Sequence, residues 1–213
     1  PPPPRAPHLK QIVGSVRCVY ETAITYDYLC PFARIANETL IADLEGGADY
    51  DVTFAPFSLH QNSLPAGSRA VWDADPDVPA GSGVLALLWS LAVRDTIPAD
   101  FLAFHAAVFS ARHDEGADIN DSDVLRTIVS GIGLDADAIE SVVLGGVPMK
   151  VLRDEHTRLV DEYAVFGVPT FIAGREAVFV RLMQRHRSDD LRRVIDMLEW
   201  SDLNEFKRTR IGL

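Results

Sequence analysis

The stretch "YDYLCPFARIANETL", residues 26–40, sets a cysteine directly before a proline, where one pattern of apolar residues gives way to another. Upstream, residues 16–26 are rich in Val, Ile, Thr and Tyr and hold no Gly or Pro, which predicts a strand. Downstream, Phe32, Ile35, Ala36, Leu40 and Leu44 fall at helical spacing. Pro31 suits a first helical turn, where its missing N–H would have had no partner in the helix. Gly46 and Gly47 stop the run. A second strand is predicted at residues 50–59, so the chain opens β-α-β with Cys30 at the first strand-to-helix junction.

Residues 60–80 are dense in turn formers and predict a long surface loop, a kind of segment that is often functional. Successive helical patterns follow, begun by Ser, Pro or Asp and several of them stopped by Gly. They predict an all-helical insertion over residues 82–146. Strand signals return in "GVPTFIAG" and "EAVFVRL", close enough for an antiparallel hairpin around Gly174 and Arg175, and an amphipathic helix runs through "SDDLRRVIDMLEW". Without the insertion the order is β-α-β, a helix, then β-β-α. That order implies an α/β fold with a mixed central sheet covered by helices. The expected organisation is an extended arm over residues 1–15, a core domain from 16–81 and 147–213, and the insertion between its halves. No internal repeat is present.

The net charge of −11 over 213 residues opposes binding to nucleic acid or anionic lipid, both of which need basic clusters. Two short basic runs, "RLMQRHR" (181–187) and "FKRTR" (206–210), read as solvated faces beside acids. No window has the ~20 consecutive apolar residues of a membrane helix. The opening "PPPPRAPHLK" lacks the apolar core of a signal peptide. Two cysteines are too few for a disulfide framework and imply a reducing, cytoplasmic setting. With residues 18–26 extended as one strand, Cys18 and Cys30 stand on the order of 25 Å apart or more and should not pair. Cys18, in phase with Val16, Tyr20 and Ile24, reads as a small buried hydrophobe.

The reactive form of a thiol is the thiolate, a minor species at neutral pH for an ordinary cysteine. At a helix N-terminus, unpaired N–H groups and the positive end of the helix dipole favour an anion, so the placement of Cys30 predicts a lowered pKa. Asp27 either ends the strand as a polar residue, acts as an acid–base group or, if buried, raises the thiol pKa by charge repulsion. Tyr26 belongs to the core with Tyr20 and Ile24, whereas Phe32, after the helix-start proline, is expected to be exposed. His60 and Asn62, in the long loop, are candidate substrate contacts. His105, His113 and His156 form no recognisable ligand set, and no metal is expected.

Cys30-Pro31-Phe32-Ala33, followed by a helical insertion and then by Val168-Pro169-Thr170 at the start of the hairpin, resembles the DsbA-like branch of the thioredoxin superfamily. "ARHDEGADINDSDVLRTI", "FGVPTFIAGREAVFVRLM" and "LNEFKRTRI" are similar to actinobacterial DsbA-family thiol oxidoreductases, some of them mycothiol-dependent. The resemblance implies a thioredoxin-like fold, with Pro31, Phe32 and Ala33 completing an active-site motif around a nucleophilic Cys30. It also implies a cis Val168–Pro169 bond whose neighbouring N–H and C=O hold substrate, with Thr170 beside it. The family motif is C-P-x-C, and Ala33 stands where its second cysteine would be. A C-x-x-C enzyme releases product with that second thiol. Here an external low-molecular-weight thiol, mycothiol or glutathione, is the expected co-substrate, with no bound cofactor. The expected partners are a disulfide-containing protein or a small thiol, acted on by a monomer or homodimer. The alternatives are a kappa-class-like thiol transferase or isomerase, a class that usually carries serine at the first motif position, and a non-catalytic thioredoxin-fold binding module.

Overall fold

The computed structural model describes residues 22–73, 81–198, 200 and 202. The N-terminal arm, Cys18, the first residues of the expected strand, residues 74–80 of the expected loop and the 206–210 basic run lie outside the described residues. Among the described residues four strands and eight α-helices follow in order: β1 (Thr22–Tyr26), α1 (Pro31–Glu45), β2 (Val52–Pro56), α2 (Leu59–Ser63), α3 (Val84–Thr96), α4 (Phe101–His113), α5 (Ser122–Gly131), α6 (Ala136–Leu144), α7 (Val147–Tyr163), β3 (Thr170–Ala173), β4 (Glu176–Phe179) and α8 (Ser188–Leu198).

The sheet runs β2-β1-β3-β4 and is mixed. β1 pairs parallel with β2, in register Thr22 to Val52 through Tyr26 to Pro56. It pairs antiparallel with β3, Ile24 opposite Phe171, and β3 pairs antiparallel with β4. A parallel neighbour needs a crossover, supplied by α1, whereas the β3–β4 hairpin closes directly through Gly174 (φ 60°) and Arg175. Ile24, Thr25 and Tyr26 are all buried, as expected of a strand covered on both faces. α8 packs against α1, β3 and β4, and α7 against β2.

Helices α3–α6 occupy the interval expected to be helical. α3 is buried on nearly every side from Val84 to Val93, so its apolar residues surround the axis rather than forming one stripe. It begins at Gly83, whose φ of 71° disfavours other residues; a Cβ there would stand 2.8 Å from Leu29 Cγ. The bundle therefore abuts the turn that carries Cys30.

A polar chain joins α4 to the start of α1. Asn37 Nδ2 donates to the Ala33 carbonyl at 2.8 Å, so its Oδ1 accepts from His105 Nε2–H at 3.0 Å. His105 Nδ1 is left to accept from the Tyr28 hydroxyl at 2.7 Å. Tyr28, Asn37 and His105 are all fully buried, and each polar group finds a partner, as burial requires.

Candidate active site around Cys30

The site assembles where β1 ends. The turn after Tyr26 closes through Cys30 N–H to the Asp27 carbonyl at 3.0 Å. Cys30 then serves as the N-cap of α1, with extended backbone (φ −90°, ψ 115°) and Pro31 in the first turn. Its Sγ accepts from Ala33 N–H at 3.4 Å. Because β3 runs antiparallel to β1, its leading residues are brought beside the same turn: Thr170 N–H donates to Thr25 Oγ1 at 2.7 Å. The Val168–Pro169 peptide is cis. The Cys30 thiol donates to the Val168 carbonyl at 3.4 Å. That carbonyl, expected to stand free for substrate, is thus occupied by the thiol itself.

The expected lowering of the Cys30 pKa is not what the structure supports. Burial pushes the thiol up, and Asp27 adds to the rise; the N–H groups of Ala33 and Phe32 and the charge of Arg181 pull it down but do not win. Cys30 as a whole is 9% exposed. The helix-start donors anticipated from Pro31 are present, and the sulfur's burial outweighs them.

Asp27 is fully buried and bridges two segments: Oδ1 accepts from Leu29 N–H at 2.9 Å and Oδ2 from Leu59 N–H at 2.8 Å. Burial raises its carboxyl to about 6 against the pull of those two donors. Asp27 is therefore more than the polar end of a strand, since it ties the cysteine turn to the start of α2.

His60 and Asn62 lie on α2, not in a loop. Ser58 Oγ accepts from Gln61 N–H at 3.1 Å and caps a single turn that the surrounding turn formers conceal in the sequence. Exposed Asn62 donates to the Phe166 carbonyl at 2.9 Å, just ahead of Gly167 and Val168. It braces the segment leading to the cis peptide. His60 is half-buried, with no side-chain hydrogen bond among the described residues. Pro31 is exposed, Ala33 fully buried and Phe32 half-buried beneath the Arg181 guanidinium, which lies 5.1 Å from the ring centroid. Tyr26 is fully buried, its hydroxyl 2.8 Å from Ser90 Oγ. Among the described residues no group of His, Cys, Asp and Glu is placed to hold a metal ion. Arg181 and Phe179 are the rim residues that sequence reading missed.

The buried titratable groups set a pH response. His105 is lowered from 6.5 to about 3 by burial, so the unfolded chain takes up a proton below 6.5 that the folded chain refuses. The associated stability is present above 6.5 and lost as pH falls through that window, at about 1.4 kcal/mol per unit. His156, lowered to about 4 by burial, acts with the same sign. Asp27, raised from 3.8 to about 6, opposes them between those values, because there the folded chain holds the proton more tightly. Denaturant titrations should show the protein about 2–3 kcal/mol less stable at about pH 5 than at about pH 7. Equal or greater stability at the lower pH would contradict this assignment of neutral, buried histidines.

A mixed four-stranded sheet, a cysteine capping its first crossover helix and a proline-led strand start opposite that cysteine define a thioredoxin-like protein. Residues 23–195 match the family model of the DSBA-like thioredoxin domain, and the chain belongs to that family. In sequence it is 24% identical over 168 residues to the uncharacterized protein YwbO of Bacillus subtilis, a match covering 70% of this chain and 84% of that one. In structure it is similar to the cytosolic disulfide reductase DsbM from Pseudomonas aeruginosa with GSH (TM-score 0.61, 21% identity, 84% of this chain and 98% of that one). It is also similar to a 2-hydroxychromene-2-carboxylate isomerase (TM-score 0.60, 17% identity, 86% of this chain and 99% of that one). At these identities the structural likeness is one of fold. No helix among the described residues is long and apolar enough to cross a membrane.

Proposed function

We propose that this protein is a monothiol thiol–disulfide oxidoreductase that reduces or exchanges mixed disulfides in a reducing compartment, with Cys30 as its nucleophile. The observation that carries this reading is the Cys30 sulfur at the helix cap, between Ala33 N–H and the Val168 carbonyl, with alanine at the position of a resolving thiol. In the first step the Cys30 thiolate attacks one sulfur of a substrate disulfide. A bond to Cys30 forms, the substrate S–S bond breaks, and the leaving thiolate takes a proton from solvent. In the second step an external thiol, glutathione or mycothiol, attacks the mixed disulfide as its thiolate. Cys30 leaves and is reprotonated, and the external thiol ends as the oxidised partner.

A raised pKa slows this chemistry without preventing it. Each unit of rise removes tenfold of thiolate, but nucleophilicity grows with basicity, leaving a net cost of about threefold per unit. The rate should therefore climb through the alkaline range. Treatment with oxidised glutathione, followed by peptide mass spectrometry, should show a glutathione adduct at Cys30 that forms faster at about pH 9 than at about pH 7 and is released by added thiol. No adduct, under conditions where free cysteine exchanges, would refute the catalytic reading.

One observation favours a second reading. The burial that holds Cys30 protonated and bonded to Val168 suits a module that binds a thiol or an extended peptide without turnover. That module would bind its ligand and form no adduct, so the same experiment separates the two.

A further inference from the structure

We infer that Arg181, clamped against Phe32 and Phe179, is a carboxylate-binding residue at the rim of the Cys30 site. Its preferred ligands are thiols and disulfides carrying a carboxylate close to the reacting sulfur. This rests on the reading of Cys30 as the reacting thiol and adds to it the class of molecule that the site selects.

Arg181 opens the basic run "RLMQRHR", where composition alone suggests a solvated face. Its backbone is held at the site: the preceding residue, Val180, donates its N–H to the Pro169 carbonyl at 3.3 Å. The guanidinium carbon lies 5.1 Å from the Phe32 ring centroid and 5.4 Å from that of Phe179. Phe179 is in turn packed against Phe166, with centroids 5.0 Å apart. Gly167 permits this arrangement, since a Cβ there would come within 3.3 Å of the Phe179 ring. A motif residue on α1 and the last residue of β4 thus hold the same cation.

What distinguishes Arg181 from its neighbours is its lack of a countercharge. Arg34 pairs with Glu38 and Asp114, and Arg185, in the same basic run, pairs with Glu38 at 2.6 Å and with Asp114. Arg181 has no carboxylate partner among the described residues, and its side chain is exposed. A guanidinium held against aromatic rings has its planar N–H edges left to meet a carboxylate with two parallel hydrogen bonds. Its charge also reaches the Cys30 sulfur. A single guanidinium matches one carboxylate. A phosphate dianion would need a second cation, and Arg34 and Arg185 are already paired. In a chain of net charge −11, this local positive spot lets a small anion approach a thiol that the overall field would guard.

Two alkylating reagents of similar size test this directly. Iodoacetate carries a carboxylate and iodoacetamide does not, and both report on the same thiol, so changes in its pKa or accessibility cancel in the ratio of their rates. With Cys30 modification followed by peptide mass spectrometry, the iodoacetate-to-iodoacetamide ratio should fall about fivefold in Arg181→Met, which keeps an apolar stem against the rings. Arg181→Lys should retain most of it. The difference should shrink in about 1 M salt, where the Debye length is ~3 Å. A ratio unchanged in Arg181→Met overturns the assignment, whatever the redox activity of Cys30. A ratio that falls as expected upholds the anion site even if no thiol releases a Cys30 mixed disulfide, in which case it is the redox reading that fails.

Discussion

Replacing Cys30 with serine is expected to abolish mixed-disulfide formation and leave the fold in place. The two expectations have separate physical grounds. As the N-cap of α1, Cys30 accepts a hydrogen bond from Ala33 N–H through its sulfur. Serine is among the preferred residues at this position, and its shorter hydroxyl can serve the same donor, so stability should change by no more than about 1 kcal/mol. The chemistry has no such substitute, because a hydroxyl cannot enter thiol–disulfide exchange. The Cys30→Ser variant should give an unchanged circular dichroism spectrum and no adduct after treatment with oxidised glutathione. An adduct that persisted would have to sit on Cys18 and would refute the assignment of the nucleophile. The variant also examines the kappa-class-like alternative, in which serine usually occupies the first motif position. Conjugation of glutathione to an electrophile that survives or increases in Cys30→Ser would favour a transferase over a disulfide oxidoreductase.

Local signals made the fold legible. The change from strand composition to helical spacing at Cys30, the Pro31 start and the Gly46–Gly47 stop place α1 within a residue of where it lies. The turn residues between "GVPTFIAG" and "EAVFVRL" place the β3–β4 hairpin. A five-residue helix shows too little periodicity to be read, so Leu59 reads as the end of a strand and residues 60–63 as loop, and Ser58 is the one local signal of α2. The site was legible where chemistry follows from sequence neighbours, as with Cys30 and its helix-start donors. It was not legible where chemistry follows from burial and distant contacts. Asp27 meets Leu59, and Arg181 meets Phe32, only after the chain has folded. The direction of the Cys30 pKa depended on how deeply the sulfur sits, a quantity with no local signal.

Ala33→Cys should turn the protein into one that releases its own product. Residues three apart in a helix lie about 5 Å apart between Cα atoms, within the range that a disulfide spans. Ala33 already presents its N–H to the Cys30 sulfur at 3.4 Å, so its Cβ belongs to the same first turn. A thiol there attacks the mixed disulfide intramolecularly, and well-oriented groups of this kind reach effective molarities of about 10⁵ M or more. No millimolar external thiol competes with that. Release of the first substrate thiol should be followed by release of the second, with no added reductant, leaving a disulfide between Cys30 and the introduced cysteine. The rate of the second release should be independent of glutathione concentration, whereas in the parent protein it should be proportional to it. Ala33 is fully buried, so the added sulfur costs stability through overpacking, on the order of 1–3 kcal/mol. Ala33→Ser separates that packing effect from the chemistry: it adds an atom at the same place but should leave release dependent on external thiol. If release in Ala33→Cys still requires glutathione although a disulfide between Cys30 and the introduced cysteine can form under an oxidant, the absence of a resolving cysteine is not what makes the parent depend on an outside thiol.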